Sequence, residues 1–359
     1  MPMNMPPIVP TPEVSVIIVS WNARDHLRRC LDSLRKGTQS AVAEIIVVDN
    51  DSTDGSPEMV SEQYPETRLV QTGANLGFAK GNNAGIDVSR GKYLCLVNSD
   101  VEVFESSIQT LCEVMDRNPA IGLAGPRVFN ADGTAQSNCR NAPTIWNSLC
   151  RALSLDTLFP RFGLFRDGLA LFPNSEGPTD VDVLTGCFWF LRREAMETVG
   201  KLDAEFFMYG EDLDWCRRFH NAKWRVVYVP DARIIHYGGA SSSDAPLKFF
   251  IELHRGQLQY WRKYHSVASS ILYLLTFCAH NVLRVIGYSL LWICRPGKRS
   301  VAGHKIHRSM EGLKWLVTEG YRCCIAEPAA ARSVEIRITP ETTTREPGAE
   351  SHAVIGLKD

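Results

Sequence analysis

Hydrophobic and polar positions along residues 13–130 fall into blocks that switch period. Val14–Ser20 (VSVIIVS) is an unbroken, mostly β-branched run, the pattern of a strand covered on both faces. Leu27, Cys30, Leu31 and Leu34 then recur at helical spacing and predict one apolar stripe on a helix. Glu44–Asp49 (EIIVVD) predicts a second buried strand, and Ser56-Pro57 predicts a helix start with serine as the cap and proline at the first helical position. Arg68–Thr72 reads as a short strand, Phe78–Ser89 as a helix and Lys92–Asn98 as another buried strand. Such alternation predicts an α/β fold, an open, mostly parallel sheet with helices on both faces.

Beyond this the pattern loosens. Residues 131–180 have weak periodicity and many Pro, Gly and Asn, which predicts a long excursion across the mouth of a site. Val181–Arg192 returns to strand-like content. Glu211–His220 and Ala245–Tyr264 read as helices, and Arg225–Val229 and Arg233–His236 as two strands. The Pro-rich residues 1–12 read as a flexible lead-in, and 327–359, rich in Thr, Glu, Pro and Ala, as a disordered tail.

Composition narrows the function classes. Of 359 residues, 45% are hydrophobic and 22% charged, the balance of a folded protein. Basic and acidic side chains number 39 and 40, so the surface excess on which a nucleic-acid binder relies is missing. The eleven cysteines form no C-x-x-C pair and no zinc-type spacing, and read as small buried hydrophobes in a reducing compartment. The opening MPMNMPPIVPTPE has neither the basic nor the apolar region of a secretory signal, so the catalytic part is expected in the cytosol.

No GxGxxG follows the first strand and no GxxxxGK[ST] loop occurs, which argues against dinucleotide binding and hydride transfer. The strands end instead in polar segments: SWN at 20–22, DNDSTDG at 49–55 and NSD at 98–100. Ligands of open α/β sheets bind outside the carboxyl ends of the strands, so these segments mark one ligand edge.

Four positions stand out, each with two explanations. The Asp49 carboxylate can accept the imide N–H of a pyrimidine while Trp21 stacks on the ring, or it can close an Asx turn with Asp51 and Asp54. Asp100, in Asn98-Ser99-Asp100, can bind a hard divalent ion that holds a diphosphate, or it can serve a turn. In the helix Glu211–His220, Asp212 shares an inward stripe with Trp215, Cys216 and Phe219; there a carboxylate costs desolvation unless it has a task, although a helix N-terminus also tolerates one. Asp214 falls on another face, with Arg217 and Arg218 at ion-pair spacing. His236 ends a strand before Tyr-Gly-Gly, where it is either structural or a ligand.

Taken together, VSVIIVSWN (14–22), EIIVVDNDSTDGS (44–56), NLGFAKGNNAGI (75–86), YLCLVNSDVEV (93–103), TGCFWFLRREAMETVGKLDAEFFMYGEDLDWCRR (185–218) and YVPDARIIHYGG (228–239) resemble glycosyltransferase family 2, in its rhamnosyltransferase-like branch. The resemblance spans about residues 13–264 and implies the GT-A fold. It implies an inverting transfer from a nucleotide-diphosphate sugar to an acceptor hydroxyl. It places Ser20, Trp21, Asp49 and Asn75 in the nucleotide pocket, with Ser99 beside them. Asp100 would be the acid of the family's D-x-D metal motif, His236 a second ligand to Mg²⁺ or Mn²⁺, and Asp212 the general base. Positions 98 and 99 depart from D-x-D, leaving one carboxylate there. A sugar nucleotidyltransferase would release diphosphate and need no Asp212. A non-catalytic nucleotide-sugar-binding module would need no base at all.

Ser266–Cys294 is long enough to cross a bilayer, yet it contains Arg284, His280 and Asn281. Arg262 and Lys263 precede it; Arg295, Lys298, Arg299, Lys305 and Arg308 follow, with no acid between 295 and 308. A single span from a cytosolic domain would place the second cluster outside, against the positive-inside rule. A peripheral or re-entrant helical pair on the anionic inner face of the plasma membrane is therefore expected for 265–326, with a buried helix or an oligomer contact as the alternative. Across 265–326 eight basic side chains face two acidic ones, a local excess hidden by the whole-chain sum. That location suggests a saccharide or polyprenyl-linked acceptor in cell-envelope polysaccharide assembly, and dTDP-rhamnose is the first choice of donor.

Overall fold

The structure is a computed structural model that describes residues 12–37, 43–159, 162, 169–170, 175–239, 246–321 and 337–338. The predicted alternation is present: β1 (Val14–Ser20), α1 (Arg24–Gly37), β2 (Ala43–Asp49), α2 (Ser56–Gln63), β3 (Arg68–Gln71), α3 (Gly77–Val88) and β4 (Tyr93–Asn98). Next come β5 (Val101–Val103), α4 (Ser107–Arg117) and β6 (Ile121–Phe129). The 131–180 stretch carries β7 (Ala135–Gln136), β8 (Cys139–Arg140), α5 (Ile145–Ala152), α6 (Leu155–Leu158), β9 (Leu169–Ala170) and β10 (Thr179–Asp180). Then follow β11 (Val183–Leu184), β12 (Phe188–Arg192), α7 (Arg193–Val199), α8 (Glu211–Asn221), β13 (Arg225–His236), α9 (Pro246–Tyr264), α10 (Val267–Cys294) and α11 (Arg299–Trp315). A final pair of residues, β14 (Arg337–Ile338), lies antiparallel to β3. The proposed lead-in and tail otherwise lie outside the described residues.

The main sheet runs β10-β13-β6-β12-β4-β1-β2-β3-β14. Strands β4, β1, β2 and β3 are parallel, as the buried runs predict. Beyond β4 the sheet is mixed, because β12 inserts antiparallel between β4 and β6. Its sequence FWFLR suits a central strand. Phe188 and Phe190 join one core with α1, α2 and α4; Trp189 and Leu191 join the opposite core with α3, α7 and α8.

Two local expectations change. Arg225–His236 is one strand, not two; its pairing with β6 shifts register between Val229 and Arg233, around Pro230, which has no N–H for the ladder. Ser56 is not the cap of α2. Gly55, in the left-handed region at φ 82°, takes that position, and the Ser56 hydroxyl donates to Asp54 instead.

Seven of the described cysteines are buried, as expected; Cys278 is half-buried and Cys294 exposed. Burial pushes the Cys139, Cys187 and Cys216 thiols up to about 12, so these three stay protonated and inert at neutral pH.

α10 is 28 residues long and apolar enough to cross a membrane by length and composition. Its burial is inverted relative to a soluble helix. Ser270, Thr276 and Asn281 are buried, with Tyr273 and Phe277 packing beside Leu258 and Trp261 of α9 and Trp315 of α11. Ile271, Leu275, Leu283, Ile286, Leu290 and Ile293 are exposed.

Candidate active site

The carboxyl ends of β1, β2 and β4 lie level: Ser20 stands beside Asp49, and Val19 beside Asn98. The two loops that leave β1 and β2 are laced together. Asn22 Oδ1 accepts the Thr53 N–H at 2.8 Å, and Asp54 Oδ2 accepts the Arg24 N–H at the start of α1 at 2.8 Å. Asp54 and Ser52 thus perform the turn-closing work. Asp49 takes only part in it, through Oδ2 and the Ser52 N–H at 3.1 Å. Its Oδ1 and the Ser20 hydroxyl are buried without a hydrogen-bond partner. Unsatisfied buried acceptors at a strand end are what a ligand N–H would complete.

In front of these ends lies a cleft of about 190 Å³ lined by Trp21, Asn75, Ser99, Asp100 and His236, among others. Ser20 and Asp49 sit behind its wall, not on it. The Asn75 side chain accepts the Gly77 N–H and shapes the turn into α3. Gly77 has φ +81°, and a Cβ there would stand 2.3 Å from the Phe207 carbonyl oxygen, so this wall tolerates only glycine.

Asp100 lies in the two-residue turn between β4 and β5. His236 reaches it because β13 pairs antiparallel with β5 and its end folds back: the Tyr237 N–H donates to the Asp100 carbonyl. His236 Nε2 is 3.4 Å from Asp100 Oδ1, and Nδ1 is 2.7 Å from Gln136 Oε1. Since that amide oxygen only accepts, Nδ1 carries a proton, which leaves Nε2, the nitrogen nearer the carboxylate, for a metal ion when the ring is neutral. This is the tautomer a metal ligand requires. One carboxylate oxygen and one imidazole nitrogen side by side fit a divalent ion. Among the described residues no cluster of three or more His, Cys, Asp or Glu side chains is gathered, so any such ion would draw its other ligands from substrate and water.

A second pocket of about 310 Å³ adjoins the first; both are lined by Asn98, Tyr209 and His236. Asp212 lines this second pocket from the first turn of α8, on the inward stripe with Trp215, Cys216 and Phe219 as the helical spacing predicts. Its Oδ2 is ion-paired with Arg140 of β8, and its Oδ1 accepts the Leu213 N–H. Asp214 is also fully buried, because α9 packs over its face; it accepts from Arg218, Lys263 and Tyr264. Arg217 does not join it but stacks on Tyr264. The turn before α8 is pinned by a close approach: a Cβ on Gly256 of α9 would lie 1.9 Å from the Tyr209 carbonyl oxygen.

Glu211 is buried as well, and its Oε2 has no partner. Burial and the neighbouring Asp212 push it up to about 8. Folded protein therefore holds this proton where unfolded chain has lost it, and stability falls as pH rises from the unfolded value near 4.5 towards 8. Glu211→Gln should raise the melting temperature, with a gain that grows from pH 5 to pH 8. A gain that shrank over that interval would contradict the neutral carboxyl.

Four lining residues carry no sequence signal that singled them out. Arg140 and Gln136 come from the loosely patterned excursion. Asn50 follows the strand-end acid. Lys248, near the start of α9, places its ammonium 5.8 Å from the Trp21 ring centroid and 5.4 Å from that of Phe207.

The sequence matches the family model for glycosyl transferase family 2 over residues 15–200. N-acetylglucosaminyl-diphospho-decaprenol L-rhamnosyltransferase of Mycobacterium tuberculosis is 32% identical over 270 residues, 71% of this chain and 86% of that protein. The low-salt glycan biosynthesis hexosyltransferase Agl10 of Haloferax volcanii is 25% identical over 57% of this chain and 61% of its own. A solved mannosyltransferase of Pyrobaculum calidifontis, in complex with GDP-Man and Mn²⁺, has a TM-score of 0.48 and 15% identity over 86% of this chain and 88% of that one, a likeness too loose to carry any residue's role. The family match over half the chain and the mycobacterial relative over most of it show that this chain belongs to glycosyl transferase family 2 and is rhamnosyltransferase-like.

Proposed function

We propose that the protein transfers rhamnose from dTDP-rhamnose, with inversion, to a hydroxyl of a polyprenyl-diphosphate-linked saccharide at the inner face of the membrane. The observation that carries this is the meeting of two pockets at Asn98, Tyr209 and His236, with Asp100 on one side and Asp212 on the other. The mycobacterial relative, an L-rhamnosyltransferase acting on N-acetylglucosaminyl-diphospho-decaprenol by name, supports the sugar and the lipid-linked acceptor.

Trp21 stacks on the base, and the unpaired Asp49 oxygen accepts its imide N–H once the wall in front of it has moved aside. Lys248 faces the donor diphosphate. Asp100 and His236 would hold Mg²⁺ or Mn²⁺, with Gln136 fixing the imidazole. Bound there, a divalent ion neutralises charge on the departing diphosphate. Asp212 takes the proton of the acceptor hydroxyl as that oxygen bonds to the anomeric carbon. The bond from that carbon to the phosphate oxygen breaks on the opposite face, and its electron pair leaves with the nucleoside diphosphate. A screen of dTDP-, UDP- and GDP-sugars with Mg²⁺ and Mn²⁺ should show turnover only with dTDP-rhamnose. Release of inorganic diphosphate would instead indicate a nucleotidyltransferase.

The inverted burial of α10 and the basic side chains after it support docking on an anionic leaflet by the α10–α11 pair. The full chain should float with liposomes containing anionic lipid and lose this on reversal of Arg295, Lys298 and Arg299 to Glu; flotation indifferent to lipid charge would remove the basic cluster from the reading.

A further inference from the structure

The Arg140–Asp212 pair is at odds with a general base. A carboxylate held by a guanidinium on one oxygen and a backbone N–H on the other has both oxygens engaged before any acceptor arrives. Arg140 is also incompletely satisfied, since its Nε is buried without a partner. It lines the second pocket and not the first, so the donor's diphosphate, which belongs with Asp100, Lys248 and Trp21, is not its counterpart. Among the residues lining that pocket it is the sole Lys or Arg.

From this we infer that Arg140 is a latch released by the acceptor. The anionic group of the acceptor, a diphosphate next to the sugar, takes the guanidinium fork and frees Asp212 at the moment a hydroxyl is in place. Until then the base is tied and water is not activated against the bound donor. Guanidinium suits the exchange, because its fork matches phosphate oxygens as well as carboxylate. The inference rests on the assignment of Asp212 as the base and names the feature of the acceptor that this site selects.

The test compares two acceptors of the same sugar, a short-chain polyprenyl-diphospho-N-acetylglucosamine and the uncharged octyl N-acetylglucosaminide, and adds donor hydrolysis without acceptor. Wild type should prefer the diphosphate acceptor in kcat/KM by at least about tenfold, the scale of a hydrogen bond to a charged group. Arg140→Gln should lose that preference, mainly through KM, while acceptor-free release of dTDP rises severalfold. Arg140→Lys, which keeps the charge without the fork, should fall between and carries the measurement if the Gln variant does not fold. A preference that survives Arg140→Gln, or one lost with no rise in acceptor-free hydrolysis, overturns the latch. The base assignment is tested separately: turnover that persists in Asp212→Asn refutes it, whatever Arg140 does.

Discussion

Asp212→Asn is expected to fold as wild type and to lose transfer by at least ~10²-fold, the lower range of general-base assistance. The substitution keeps the volume and leaves an amide oxygen that can still accept from Arg140 or from the Leu213 N–H, so one of the two contacts of this side chain survives. What it removes is the capacity to take a proton. The neighbours are poor substitutes. Asp214 is fully buried among Arg218, Lys263 and Tyr264, and burial beside Asp212 pushes the Glu211 carboxyl up, which favours its protonated form. The loss should appear in kcat with donor affinity unchanged, measured by dTDP release and by binding of the unreacted donor. Turnover near wild type would sink the assignment.

Asp100→Ala is expected to cost a comparable factor, roughly 10²–10³ on the scale of a lost electrostatic donor to a leaving group. It should weaken donor binding as well, because the same carboxylate acts before and during departure. His236→Ala should follow in the same direction and His236→Gln less severely. The discriminating measurement is the response to EDTA and to added Mn²⁺ or Mg²⁺. Wild type should lose activity with chelator and regain it with metal, whereas the residual activity of Asp100→Ala should respond to neither. A variant that stays fast and indifferent to chelator would show that the carboxylate serves only the turn between β4 and β5.

Much of this site is legible along the chain. Runs such as VSVIIVS and EIIVVD can be covered only between two helical layers, and a strand so covered must end at the sheet's edge. Ser20, Asp49 and Asn98 therefore come level without any knowledge of loops. Asp212 is equally legible, since a carboxylate three and four residues before Trp215 and Cys216 on an inward stripe must face either a partner or a substrate.

Other features depend on contacts distant in sequence. Whether Asp212 is free or held rests on Arg140, 72 residues earlier, in a segment with no period to read. The imidazole tautomer of His236 is set by Gln136, 100 residues away. The antiparallel entry of β12 and the burial of Asp214 under α9 are likewise outcomes of packing. The burial of α10 shows both sides: its length and apolar content are plain in the sequence, but only the neighbours α9 and α11 reveal that Ser270, Thr276 and Asn281 face inward with Tyr273 and Phe277 while Ile271, Leu275, Leu283 and Ile286 stand exposed. Local patterns record which faces must leave water, because burial is a property each strand or helix carries itself. Which charged groups meet, and in what protonation state, depends on distances between elements, and those are set only when the chain closes on itself.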